Sequence, residues 1–340
     1  MASQASIIKY IFSNVYLYKS FTHAMGYLVS IIIPTYNRAH LIGQTLDSIK
    51  NQTYEHWECL VIDDQSNDYT SELLDFYTDA DKRFKYIKRG DNLKPGANTC
   101  RNLGFKNSKG AFINWFDSDD IMHTDKLAIQ TELLFKSECN MCVCQTLMFE
   151  NNLDNILGLR HPKLESKDPL NDFICNKIKW LTQAPLIRRS FIVKHHLQFD
   201  ITLHQSQEWD YFVRLLNLES SYEVTPKPLV YVRRHEESIS FGEMTPTKIL
   251  SFFYARYKVL QKMRSKLNIS AVKNLKNDIV WAYISLLQKS SFEEAFQLKI
   301  RIKKIDGDFN FLFRHFQLGL VFYSFKILGK GEKILKLNRG

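Results

Sequence analysis

The sequence predicts an α/β fold: a mixed, mostly parallel sheet flanked by helices, with a helical C-terminal extension. Three observations carry this. Short, largely apolar runs rich in β-branched residues read as strands buried on both faces, the habit of parallel sheets. These runs alternate with amphipathic helical stretches at short spacing, the order of βα units. From residue 247 onward the pattern is helical.

The first such run is L-V-S-I-I-I (28–33), and Pro34 is expected to end it. Asn37 reads as the N-cap of a helix with Leu41, Ile42, Leu46 and Ile49 on one face. W-E-C-L-V-I (57–62) is a second buried strand, closed by Asp63-Asp64-Gln65-Ser66 and followed by a helix through Leu73, Leu74 and Tyr77. F-K-Y-I-K (84–88) is a third strand. A polar loop over 89–95 and a helix near 97–107 lead to A-F-I-N-W-F (111–116). Pro162, Pro169 and Pro185 break the less regular stretch 151–200. The expected divisions are an N-terminal extension (1–27), a domain over 28–246 with halves 28–120 and 121–246, and a basic amphipathic helical region over 247–340. Met25 is an alternative start, just ahead of the first strand.

With 340 residues, 45% of them hydrophobic, the chain has ample material for a core and shows no internal repeat. The six cysteines are scattered, which argues against a disulfide scaffold. The cluster C-N-M-C-V-C (139–144) lacks a second ligand pair and reads as an apolar strand. No run of eighteen apolar residues is present, and the N-terminus lacks a signal-peptide pattern. The expected location is cytoplasmic. The net charge of +10 suits an anionic partner, but no nucleic-acid-binding signature accompanies it. Residues 296–340 hold ten Lys or Arg against three Asp or Glu, interleaved with Phe, Leu and Ile. They read either as a hairpin packed on the rest of the protein or as a basic surface for peripheral contact with the cytoplasmic face of a membrane.

In open α/β sheets ligands bind beyond the carboxyl ends of the strands. The polar clusters fall there: Thr35-Tyr36-Asn37-Arg38, Asp63-Asp64, and D-S-D-D (117–120). Three carboxylates in four positions repel one another, by about 4 kcal/mol per close pair at a protein surface, and a divalent cation offsets that. An EF-hand is excluded, because Met122 and Ala128 occupy the positions that need Gly and Glu. Mg²⁺ or Mn²⁺ bridging to phosphate oxygens is the ligand such a rim suits; helix capping explains one such acid, not three.

V-S-I-I-I-P-T-Y-N-R (29–38), L-V-I-D-D-Q-S-N-D (60–68) and N-W-F-D-S-D-D (114–120), in this order and spacing, resemble the family 2 glycosyltransferases of the GT-A fold. The resemblance covers roughly residues 28–240. It implies a nucleotide-sugar-binding half (28–120) and an acceptor-binding half (121–246). It implies that Pro34, Thr35, Tyr36 and Arg38 help hold the donor and that Asp64 accepts a hydrogen bond from uracil N3. Arg101 would contact the base or the diphosphate, while Asp117, Ser118 and Asp119 would lie along the donor. Asp119 or Asp120 would hold the cation, joined by His235 of Y-V-R-R-H-E-E-S-I-S (231–240), with Arg233 and Arg234 as phosphate contacts. In H-Q-S-Q-E-W-D-Y-F-V-R-L-L (204–216), Glu208 takes the place of the catalytic base, with Asp210 in reserve. Here the sequence departs from the family: Gln207 stands where the first acid of a pair is usual, and Glu replaces the commoner Asp.

The expected activity is inverting, metal-dependent transfer from a nucleotide sugar, a UDP-sugar first, to a glycan or lipid-linked acceptor. A catalytically inactive nucleotide-sugar-binding protein is the alternative. A receiver module would be shorter and would not need 204–216 and 231–240; a nucleotidyltransferase would need a Gly-rich, Lys-bearing loop near the first strand, which is missing.

Overall fold

The computed structural model describes residues 26–234, 243–303, 305 and 309–329. Met25, most of the N-terminal extension, and His235 lie outside the described residues. In chain order the elements are β1 (Val29–Thr35), α1 (Ala39–Lys50), β2 (Trp57–Asp63), α2 (Thr70–Ala80), β3 (Phe84–Lys88), α3 (Ala97–Asn107) and β4 (Phe112–Trp115). There follow β5 (Ile121–Met122), α4 (Lys126–Phe135), β6 (Met141–Glu150), β7 (Asn152–Leu159), α5 (Pro169–Ile174), β8 (Pro185–Arg188) and α6 (Arg189–Lys194). The remainder is α7 (Gln207–Leu218), β9 (Glu223–Arg234), α8 (Pro246–Met263), α9 (Ile269–Gln288), α10 (Phe292–Ile302) and α11 (Phe309–Leu328).

The described chain packs as two compact units. The first holds the chain up to Lys167, with Ile178–Phe199 and the strand that follows Ser220. The second holds Asp168–Lys177, Asp200–Glu219 and the C-terminal helices. The contiguous division drawn from the sequence at 247 therefore differs from the packing, which groups α5 and α7 with α8 to α11.

The first unit contains the sheet, in the order β3-β2-β1-β4-β8-β6-β9-β5, with β7 paired to β6 off this path. β3, β2, β1 and β4 are mutually parallel. β8 runs antiparallel to β4 and β6, and β9 runs parallel to β6. β1 and β2 are buried at every position; their polar members Ser30 and Glu58 satisfy each other, Ser30 Oγ donating to Glu58 Oε1 at 2.6 Å. Gly104 lets α3 lie directly on them: a Cβ there would sit 2.3 Å from Ile32 Cγ2. Cys142 and Cys144 are buried on β6, in keeping with the strand reading of their cluster.

Two local expectations fail. Pro34 lies inside β1, paired in register with Ile62. Pairing with β4 stops at Ile32, whose carbonyl accepts from Phe116 N–H. Pro34 lies two residues on, facing the side where the ladder has ended, so its missing N–H costs no bond. Nor does Asn37 cap α1: it takes φ 51°, and its side chain accepts from Asn67 N–H at 2.9 Å. Asp68 instead accepts from Ala39 N–H at 3.1 Å and holds the helix start from across the loop.

In the second unit α5, α7, α8 and α9 pack around Phe173, Phe212, Phe253 and Tyr283. α10 and α11 close over α9, with Tyr283 donating to the Leu318 carbonyl at 2.9 Å. Among the described residues no helix is long and apolar enough to cross a membrane.

Candidate functional site

Parallel pairing fixes which residues share the sheet's carboxyl edge. Thr35 of β1 is opposite Asp63 of β2, and β4 enters the 117–120 loop two residues beyond the Ile32–Trp115 pair. The three polar clusters singled out in the sequence thus emerge from adjacent parallel strands at one edge.

The two acids that end β2 have different tasks. Asp63 is buried and structural: Oδ1 accepts from Ser66 N–H (2.9 Å) and Oγ (2.6 Å), and Oδ2 accepts from the Tyr86 hydroxyl (3.1 Å). Asp64 points elsewhere. Oδ1 accepts from Arg89 Nε, and Oδ2 accepts from Gly96 N–H at 2.7 Å. The Cys100 thiol donates to the same carboxylate, and burial together with the Asp64 charge pushes that thiol up to about 12. Arg89 is buried, and its Nη1 donates to the carbonyls of Gly90 (3.1 Å) and Leu93 (2.6 Å), so the 89–95 loop folds around it. Gly96, at φ 124°, takes a backbone conformation that side chains disfavour. Thr35 is buried, and its carbonyl accepts from Asp64 N–H at 2.8 Å. Tyr36, by contrast, presents a ring that is 54% exposed, a flat face free to stack. Arg38 is half-buried at the start of α1, where its N–H donates to Thr70 Oγ1 at 3.3 Å.

Arg101 is no solvated surface cation. It is 8% exposed, lies 5.2 Å from the Phe199 ring centre, and donates through Nη2 to Asp117 Oδ1 at 2.8 Å. Burial lifts the Asp117 carboxyl above the ordinary range despite Arg101, and the charge of Asp119 adds to the lift. Ser118 is buried. Its carbonyl and that of Asp120 lie 3.0 and 2.8 Å from Thr45 Oγ1, so one hydroxyl of α1 pins both ends of the loop's centre. Asp119 is half-buried. Asp120, only 2% exposed, turns inward: Oδ1 accepts from Arg233 N–H at 2.9 Å and Oδ2 from Gln183 Nε2. Burial, then the neighbouring Asp119 and Asp117 charges, push its carboxyl well above the usual range. The expected phosphate contact of Arg233 fails too, because its guanidinium is buried among internal acceptors.

Among the described residues no group of three or more His, Cys, Asp or Glu converges on one point. Mg²⁺ and Mn²⁺ do not need one. They take hard oxygen donors, commonly one or two carboxylates completed by substrate phosphates and water. Asp119 and Asp117 have that chemistry: burial lifts Asp117, the Asp119 charge adds to the lift, and a bound cation would neutralise that added charge. They fit such an ion, whereas Asp120 is committed to holding the loop.

In the second unit Glu208 lies in the first turn of α7 and is half-buried. Asp210 is unsuited to proton transfer: it is buried, and its Oδ2 accepts from Arg214 Nε (2.9 Å) and Nη2 (2.7 Å). The start of α7 is braced by Arg256 of α8. This buried guanidinium donates to Ser206 Oγ at 2.6 Å, lies 4.1 Å from the Trp209 ring centre and 3.6 Å from that of Phe252, and pairs with Asp278. Burial pulls its pKa down to about 10, against the opposing charges of Asp278 and Asp210.

Sequence reading missed Arg89, Thr45, Gln183 and Arg256. Only Arg89 left a trace, as a cation ahead of the Pro95-Gly96 turn; the others act across long sequence separations.

Residues 30–192 match the family model described as Glycosyl transferase family 2. The UDP-Glc:alpha-D-GlcNAc-diphosphoundecaprenol beta-1,3-glucosyltransferase WfgD of Escherichia coli is 38% identical over 127 residues, 37% of this chain and 48% of that protein. The match thus spans about half the length of that relative. An uncharacterized glycosyltransferase of Rickettsia typhi, RT0329, is 25% identical over 316 residues, covering 91% of this chain and 95% of that one. Among solved structures, S. aureus TarS 1-349 aligns with TM-score 0.61 at 14% identity, over 89% of this chain and 92% of that one. The same fragment in complex with UDP-GlcNAc gives 0.59 at 16% identity, over 82% and 80%. The mannosyltransferase PcManGT of Pyrobaculum calidifontis, in complex with GDP-Man and Mn²⁺, gives 0.53 at 14% identity, over 94% and 91%. These likenesses establish the GT-A fold. Through residues 30–192, the chain belongs to glycosyltransferase family 2.

Proposed function

We propose that this protein transfers a sugar, with inversion, from a UDP-sugar to a hydroxyl of a glycan or lipid-linked acceptor in cell-surface glycan synthesis. One observation carries the reading: adjacent parallel strands deliver an exposed Tyr36 ring, a braced Asp64 carboxylate and the Asp117–Asp119 pair to a single sheet edge. The names of two similar proteins agree with it, one using UDP-Glc and a diphosphoundecaprenol-linked sugar, the other binding UDP-GlcNAc.

Tyr36, flanked by Pro34, Thr35 and Arg38, stacks on the base, and Asp64 accepts from the uracil N3–H. A pyrimidine without that N–H meets two acceptors face to face. Arg101 orients Asp117 toward the ribose and diphosphate. Asp119, with Asp117 beside it, would hold Mn²⁺ or Mg²⁺, joined by His235. When bound, the cation neutralises the charge that grows on the departing diphosphate. Glu208 accepts the proton of the acceptor hydroxyl. The new bond joins that oxygen to the anomeric carbon as the bond to the diphosphate oxygen breaks, and UDP leaves with the electron pair. A panel of UDP- and GDP-sugars, assayed for nucleoside diphosphate release with Mn²⁺ and with chelator, tests this. Release from a UDP-sugar in Mn²⁺ alone is expected. Binding without release from any sugar nucleotide would favour the catalytically inactive alternative.

The C-terminal helices supply the proposed peripheral contact with anionic lipid at the cytoplasmic face. Leu320, Tyr323 and Ile327 lie at i, i+3 and i+7 on α11, opposite its buried face of Leu318, Val321, Phe322 and Phe325. Phe296 and Ile300 extend the exposed apolar surface on α10, with Lys299, Lys303 and Lys326 around it. Full-length protein should co-sediment with vesicles containing phosphatidylglycerol, and Leu320→Ser/Tyr323→Ser/Ile327→Ser should weaken this about tenfold. Equal binding by the variant, or by neutral vesicles, excludes that role.

A further inference from the structure

Arg233 lies at the end of β9 beside the acidic loop, and each of its nitrogens has an acceptor. Its backbone N–H donates to Asp120 Oδ1 at 2.9 Å. Nε donates to the Asp119 carbonyl at 3.0 Å, Nη1 to the Asn151 carbonyl at 2.9 Å, and Nη2 to Gln44 Oε1 at 2.6 Å. The guanidinium lies 4.6 Å from the Phe149 ring centre. One side chain therefore joins three separate segments: the acidic loop, helix α1, and the tip of the β6–β7 hairpin, where Asn151 takes φ 62°.

We propose that Arg233 is a positioning residue, which fixes the backbone of residues 119–120 so that Asp119 is presented to its ligand, and which ties the hairpin tip to that loop. The physical argument is one of constraint. Arg233 holds the Asp119 carbonyl and the Asp120 carboxylate at once, while Thr45 holds the Ser118 and Asp120 carbonyls from α1. With both flanks held, the backbone that carries the Asp119 side chain is fixed. A planar guanidinium spreads its donors over three nitrogens in a fixed fork, whereas a lysine ammonium carries its three donors on one atom and cannot reach the same three acceptors together. The buried cation is tolerated because each guanidinium nitrogen has an acceptor and the Asp119 and Asp120 charges lie nearby. A displacement of the hairpin tip is transmitted to the acidic loop through Nη1 and Nε of the same planar group.

This inference rests on the reading of Asp119 as a cation ligand, and the experiment separates the two. Full-length Arg233→Lys and Gln44→Ala are compared with wild type by thermal unfolding without ligand and by calorimetric titration with UDP in Mn²⁺ and in chelator. Gln44 is exposed, so its alanine variant leaves the fold intact while removing one anchor of the guanidinium. Changing a residue that orients a metal ligand typically costs about 10- to 100-fold, so Arg233→Lys should weaken Mn²⁺-dependent UDP binding by about tenfold. Gln44→Ala should weaken it by about threefold with an unchanged unfolding midpoint, since it removes one bond of the set. Wild-type affinity in both variants, whatever their stability, overturns the positioning role alone. A wild-type chain that binds UDP equally with Mn²⁺ and with chelator overturns the metal reading and this proposal with it.

Discussion

Glu208→Gln is expected to lower turnover by about a thousandfold while leaving UDP affinity within about twofold, because a positioned general base contributes roughly 10²- to 10⁴-fold. The substitution keeps the size of the side chain and removes only its capacity to take a proton. Glu208 is better suited than its neighbour. Asp210, three residues into the same helix start, spends an oxygen on both Arg214 donors and is buried. Asp210→Asn should therefore act through stability, leaving Arg214 short of its partner. Steady-state kinetics of both variants, with unfolding midpoints alongside, separates the roles; unchanged turnover in Glu208→Gln would remove Glu208 from the chemistry.

Asp119→Ala is expected to reduce Mn²⁺-dependent UDP affinity by about a hundredfold, in line with the several kcal/mol that metal charge stabilisation supplies. The single variant is preferable to one that also changes Asp120. Loss of the Asp120 carboxylate leaves the Arg233 N–H and Gln183 Nε2 without their acceptor, at a cost of about 1–3 kcal/mol for each buried donor. A drop in binding would then mix ligand loss with collapse of the loop. Asp119→Ala removes an acid from the half-buried loop tip and leaves those bonds in place.

Much of this architecture is legible in the sequence because it follows from local patterns. The β-branched runs at 28–33 and 57–62 fold as buried parallel strands, and parallel register alone brings Tyr36, Asp64 and Asp117–Asp120 to one edge. What escaped has a common physical cause: it depends on distant partners. Pro34 reads as a strand end, yet it is accommodated because the β4 ladder stops at Ile32. Asn37 has the chemistry of a cap, but Asp68, reaching back from the next loop, supplies the bond. The three acids of D-S-D-D look equivalent in the sequence. The fold separates them by pairing Asp117 with Arg101 and turning Asp120 toward Gln183 and Arg233. Arg256, deep in what reads as a C-terminal extension, braces the helix that carries Glu208, so that region belongs to the packing around α7.

The central claim is that the 117–120 loop binds a nucleoside diphosphate through a divalent cation. Calorimetric titration of the wild-type chain with UDP, once in Mn²⁺ and once in chelator, tests it most directly. The expected result is saturable binding in Mn²⁺ that falls by about a hundredfold on chelation, the same loss that Asp119→Ala produces in the presence of the metal. Binding of equal strength in both buffers, or binding in Mn²⁺ that survives Asp119→Ala, would contradict the account.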